Sequence, residues 1–206
     1  MNLSPFMGAG WACSPQVLSE DEGLLLCRAC RDGVGGKRNV VLAVFAAAEH
    51  PAPQSLDRLT NEYELRNELD GAWAAKPLEL VQDPTRTILV LEDHGGEPLS
   101  WLVGAPMEIR SFLRLAIQIT ASLGRVHQRG LIHKDVKPAN ILVNRTEGNV
   151  RLTGFGLASR RPRERQSPAP PDQIAGTLAY MAPEQTGRMN RSIDSRSDLY
   201  ALGVTF

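Results

Sequence analysis

The chain has 206 residues, 42% hydrophobic and 22% charged, a composition that fits one ordinary globular domain. With 23 basic and 23 acidic residues its formal net charge is zero, which gives no electrostatic footprint for nucleic acid or an anionic membrane. No apolar run is long enough to span a bilayer, the start lacks the regions of a secretory signal, and three cysteines are too few for a disulfide framework. A reducing, cytoplasmic setting is therefore expected.

Residues 1–15 read as a loose tail. Residues 17–19 and 24–31 read as short strands around the acidic turn Glu20-Asp21-Glu22-Gly23. Cys27 and Cys30 form a C-x-x-C within the second strand, where side chains three apart point to opposite faces, so they read as incidental rather than metal-binding. After the breaker-rich Asp32–Lys37 turn, Arg38–Ala46 is a β-branched apolar strand. Ser55 to about Asp70 reads as a helix capped by Ser55, with Leu56, Leu59, Tyr63, Arg66 and Leu69 at helical spacing. Leu78–Val81 and Thr87–Glu92 follow as strands around an Asp83-Pro84 turn, and Gly95-Gly96 marks a boundary between a first lobe (16–95) and a second (96–206).

Glu108–Gln128 reads as a long helix with Ile109, Phe112, Ala116, Ile119, Leu123 and Val126 on one stripe. Short strands are expected at Ile141–Val143 and Val150–Leu152. Residues 160–172 are basic, then Pro-rich, and are expected to form no regular element. A last helix starts near Ser195. Trp73 and Trp101 are read as packing residues.

The chemistry concentrates in Leu131–Val143, LIHKDVKPANILV. A loop between strands can aim His133, Asp135, Lys137 and Asn140 into one cleft. Asp135 can orient a hydroxyl and accept its proton, Lys137 can neutralise phosphate, and Asn140 can hold Mg²⁺, so these three are the candidate catalytic residues.

This segment resembles the catalytic loop H-R-D-x-x-x-x-N of eukaryotic-type protein kinases, with His133-Lys134-Asp135 in place of His-Arg-Asp. Gly154-Phe155-Gly156 stands where Asp-Phe-Gly is expected, Ala182-Pro183-Glu184 matches the end of an activation segment, and Asp198–Gly203 matches the start of the central helix. The resemblance implies an α+β, two-lobed kinase-like fold: a small antiparallel sheet with one helix, then a helical lobe incomplete at Phe206. It further implies activation-segment positions at Thr177 and Glu184, anchoring roles for His133 and Asp198, and ATP and Mg²⁺ held through Lys137 and Asn140 if the domain is active. The stretch from Val150 to Phe206 also resembles the N-terminal kinase-like domain of bacterial hybrid proteins that continue into ATPase, GAF and sensor histidine kinase regions, a likeness that spans essentially the whole chain and is weakest before residue 55. That likeness implies a two-component signalling context with a protein partner or downstream domains of the same polypeptide. It also implies a natural product longer than 206 residues, the piece alone being marginal because Leu199, Leu202, Val204 and Phe206 would lack cover.

The chain departs from the kinase pattern at three places. The expected glycine-rich loop is the acidic Glu20–Gly23 turn, with Gly33–Gly36 in the wrong turn. Val44 takes the strand-lysine position, leaving its usual helix partner, Glu62, to read as a solvated residue; Lys37 is the one candidate for a relocated lysine. Gly154 replaces the metal-binding aspartate, leaving Asn140 as the only protein ligand. Ser167 and the arginines at 160, 161, 163 and 165 read as a solvated loop able to carry a phosphosite or dock an acidic partner. Two readings follow: a regulatory pseudokinase module, resting on Val44, Gly154 and the acidic turn, and an active atypical serine/threonine kinase, resting on Asp135, Lys137, Asn140 and Thr177. A small-molecule phosphotransferase shares the His-x-Asp…Asn pattern but not the activation segment.

Overall fold

The structure is a computed structural model, and it describes residues 11, 13–32, 38–82, 86–160, 163–164, 176–187 and 192–206. The readings placed on Gly33–Gly36, Lys37, Asp83-Pro84, Arg161, Arg165 and Ser167 lie outside the described residues.

Five strands form an antiparallel sheet: β1 (Gln16–Asp21), β2 (Leu24–Asp32), β3 (Arg38–Ala46), β4 (Pro77–Gln82) and β5 (Thr87–Glu92). Their spatial order is β1-β2-β3-β5-β4. Period-two alternation splits the apolar side chains between two faces. Leu25, Cys27, Ala29, Val41, Ala43, Phe45, Ile88 and Val90 cluster on one face. Leu26, Leu42, Leu89 and Leu91 lie on the other, packed with Leu59 of helix α1 (Pro53–Glu64). Leu59 is 1% exposed, and its burial contributes on the order of 2 kcal/mol.

Helix α1 differs from the expected span. It starts at Pro53 with Ala52 at the N-cap, no side-chain cap is made, and Ser55 lies inside the first turn. Proline at the first position fixes a helical φ without wasting a donor, which moves the start forward. The helix ends at Glu64, and residues 65–68 form turns that carry Leu65 and Leu69 into the second core.

The second lobe is built on α2 (Ile109–Gln128). Glu108 caps it by accepting from the N–H groups of Arg110 (3.0 Å) and Ser111 (2.9 Å). Ile119, Leu123 and Val126 are buried, but Ile109 is 67% exposed and Phe112 packs edge-on against Phe206, so the expected stripe is buried only in its later half. Strands β6 (Glu97–Pro98), β7 (Ile141–Asn144) and β8 (Asn149–Leu152) form a small sheet against α2. Within the basic stretch expected to lack regular structure, β9 (Arg163–Glu164) pairs with β10 (Ile193–Asp194), just before α3 (Ser195–Thr205). Leu202 is buried while Leu199, Val204 and Phe206 are exposed.

Gly95-Gly96 joins the two parts. Gly96 has φ +97°, and a Cβ there would meet the Val143 backbone at 2.9–3.0 Å, so only glycine passes. Arg28 of β2 braces this crossing, pairing with Asp93 (2.5 Å) and donating to the Gly96 carbonyl (2.6 Å). Trp73 packs edge-on against Phe155. Trp101 is 46% exposed, and its indole donates to the Leu18 carbonyl at 3.0 Å. Trp11 bridges Arg31, so the start of the described chain docks along β2 instead of hanging loose. Among the described residues no helix is long and apolar enough to cross a membrane.

Candidate functional site

The loop between α2 and β7 is set by Asp198, which is 1% exposed near the start of α3. Its carboxylate accepts from the backbone N–H of His133 (2.9 Å) and of Lys134 (2.7 Å) and contacts His127 Nε2 at 2.8 Å. Lys134 has φ +68°, a left-handed conformation costly for a residue with a Cβ, and the Asp198 bond holds it there. His133 is fully buried, with Nε2 3.1 Å from the Thr153 carbonyl. Burial lowers its pKa, despite the opposing charge of Asp198, so the ring is neutral at pH 7.

From this anchored turn Asp135, Lys137 and Asn140 converge. Asn140 Nδ2 donates to the Asp135 carbonyl (2.8 Å) and to its Oδ2 (2.9 Å). Lys137 Nζ lies 2.8 Å from Asp135 Oδ2 and bonds Thr177 Oγ1. Thr177 in turn places its N–H 3.4 Å from Asp135 Oδ1. Glu184 accepts from Ser197 Oγ at 2.7 Å, tying its segment to α3. Asp135, Lys137, Asn140 and Thr177 thus form one continuous polar network, while Glu184 is tied separately to α3.

The other wall of the cleft is unlike the expectation. The acidic turn does more than repel phosphate: Asp21, at the tip of β1, forms an ion pair with Lys137, and Glu22 pairs with Arg58 of α1. Burial by itself would lower the Lys137 pKa, but the carboxylates of Asp135 and Asp21 outweigh it and hold the ammonium charged. Lys137 is 2% exposed and already neutralised from both lobes.

Glu62 corrects a second reading. It is not solvated but 3% exposed, in a cleft it shares with Val44. Burial pushes its carboxyl up to about 7, against the backbone N–H groups of Phe155 and Gly154, and Oε1 has no hydrogen-bond partner among the described residues. Nearby Asn61 donates to the carbonyls of Gly156 and Ala158, both at 3.0 Å, so α1 holds the segment after Gly154 by two consecutive side chains.

Gly154 has φ +76°, and a Cβ there would lie 2.7–2.8 Å from the Asn140 amide atoms. The amide that could ligate a metal therefore fills the space that a side chain at 154 would need. His94 stands 3.1 Å from Glu92 at the crossing between lobes and takes no part in the network.

The chain matches the protein kinase domain family model over residues 32–206. The chain belongs to the protein kinase family. It is 39% identical over 128 residues to the serine/threonine-protein kinase Pkn1 of Myxococcus xanthus, covering 59% of this chain and 18% of that protein. It is 32% identical over 169 residues to the serine/threonine-protein kinase PknL of Mycobacterium bovis, covering 81% of this chain and 41% of that protein. It is 31% identical over 190 residues to the serine/threonine-protein kinase AfsK of Streptomyces griseus, covering 85% of this chain and 23% of that protein. The kinase domain described here thus spans less than half the length of these relatives, and its fold is the antiparallel sheet plus helical part of a kinase.

Protein kinases generally use ATP and Mg²⁺. The residues here do not fit that pair. Val44 offers no charge to a phosphate, Gly154 offers no ligand, and Asn140 is committed to Asp135. The cleft between Val44, Glu62, Asp135 and Gly154 encloses about 60 Å³ of free space, whereas ligand sites run to roughly 300–1,000 Å³.

Proposed function

We propose that this kinase domain is a regulatory pseudokinase module, working through protein contacts and not through phosphoryl transfer. The carrying observation is the Asp21–Lys137 ion pair across the cleft, in which the protein's own carboxylate sits on the cation that would otherwise meet phosphate. The burial of Glu62 with no ion pair among the described residues, in the cleft it shares with Val44, supports the same reading. The resemblance of Val150–Phe206 to hybrid signalling proteins supports a place ahead of a sensor histidine kinase in a cytoplasmic polypeptide, with a protein partner or the downstream domains as its target.

The second reading, an atypical serine/threonine kinase, is favoured by the convergence of Asp135, Lys137, Asn140 and Thr177. Transfer of labelled phosphate from Mg-ATP to a generic protein substrate separates the two. The pseudokinase reading expects incorporation no greater than in Asp135→Asn. Turnover that disappears in Asp135→Asn overturns it.

A further inference from the structure

The cysteines pair differently from their spacing. Cys27 and Cys30 sit on opposite faces of β2, and Cys27 is fully buried in the sheet core. Cys30 instead meets Cys13, which precedes β1. The Cys30 N–H donates to Cys13 Sγ at 3.1 Å, and the Cys13 thiol lies near enough to raise the Cys30 pKa. Both are partly exposed, so a small reagent reaches them without unfolding the sheet. The segment that carries Cys13 is held against β2 by the Trp11–Arg31 bridge and by the Arg31 guanidinium 5.8 Å from the Trp11 ring. The two sulfurs are therefore preorganised by the backbone and not brought together by chance collision.

We propose that Cys13 and Cys30 are a dithiol–disulfide redox pair, oxidised by a low-molecular-weight disulfide of the glutathione type. One protein thiolate attacks the small disulfide, forming a mixed disulfide and releasing one small thiolate. The second protein thiolate then attacks the protein sulfur of that mixed disulfide and releases the other small thiolate. The protein loses two protons and two electrons, and the small disulfide gains them as two thiols. Hydrogen bonding to Cys13, then burial, raises the Cys30 pKa, so its thiolate forms less readily than that of an ordinary cysteine. The Cys27 thiol is pushed up to about 11 by burial and stays a spectator. The closed ring encloses β1, the turn and β2 as far as Cys30, and the turn carries Asp21 and Glu22 into the cleft.

The 206-residue chain is incubated with oxidised glutathione under native conditions, the remaining thiols are alkylated, and intact mass and peptide linkage are read. The expected result is loss of two hydrogens, one peptide pair joining Cys13 to Cys30, alkylation of Cys27 alone, and full reversal by dithiothreitol. The same oxidation in concentrated urea is expected to scatter the linkage among all three cysteines. Cys13→Ser and Cys30→Ser are each expected to stop at the mixed disulfide or not react. A linkage through Cys27, a persistent glutathione adduct on the wild-type chain, a disulfide between two chains, or no reaction would each overturn the proposal. The wild-type mapping carries the test even where a serine variant fails to fold.

Discussion

Replacing Glu62 with Gln probes the cleft where its electrostatics are most unusual. The carboxyl moves from an ordinary 4.5 to about 7 because burial penalises its charged form. The folded chain therefore binds this proton more tightly than the unfolded chain. Below about pH 4.5 both states are protonated and the group costs nothing. Between 4.5 and 7 the unfolded state releases its proton first, and stability falls as pH rises. Above 7 the full penalty remains, about 3 kcal/mol at about 1.4 kcal/mol per pH unit. Glutamine keeps an acceptor for the N–H groups of Gly154 and Phe155 and cannot ionise. Urea unfolding of wild type and Glu62→Gln from pH 5 to pH 8 should show the variant gaining on wild type by about 2–3 kcal/mol across that range. A wild-type-to-variant difference that stays constant with pH would refute the reasoning, since a constant offset is what a purely steric change produces.

Asp21→Asn removes one carboxylate from a buried lysine that still has Asp135. It should cost about 1 kcal/mol of stability in denaturant unfolding. It should also strengthen binding of metal-free tripolyphosphate at least tenfold in calorimetry, because one of the two carboxylates that neutralise Lys137 is gone; unchanged affinity would contradict the ion-pair account. Gly154→Ala forces a Cβ against the Asn140 amide at φ +76°. It should lower stability by about 2 kcal/mol, read as a shift in urea midpoint at constant slope.

The strands were legible because their residues are β-branched and bounded by breakers, and β3 and β5 appear at their expected bounds. Ends set by a single local residue were harder to read. Pro53 moved the start of α1, and the exposure of Ile109 showed that periodicity alone does not say what lies opposite a helix. The catalytic-loop cluster was readable because Asp135, Lys137 and Asn140 fall within one short segment. The Asp21–Lys137 pair joins residues 116 apart, and no local pattern encodes that distance. Glu62 was misread because the absence of a lysine at Val44 suggested that the carboxylate had been released to solvent. Its burial follows instead from α1 docking on the sheet through Leu59, three residues earlier. The strand pleat already told against Cys27 with Cys30, but no local spacing encodes the docking of residue 13 on β2 that supplies the neighbour of Cys30.

Calorimetric titration of Mg-ATP into the 206-residue chain addresses the cleft most directly. With no cation at 44, no ligand at 154 and Lys137 already neutralised, the expected result is no saturable heat up to millimolar nucleotide. Saturable binding in the micromolar range, dependent on Mg²⁺ and abolished in Asn140→Ala, would contradict the account.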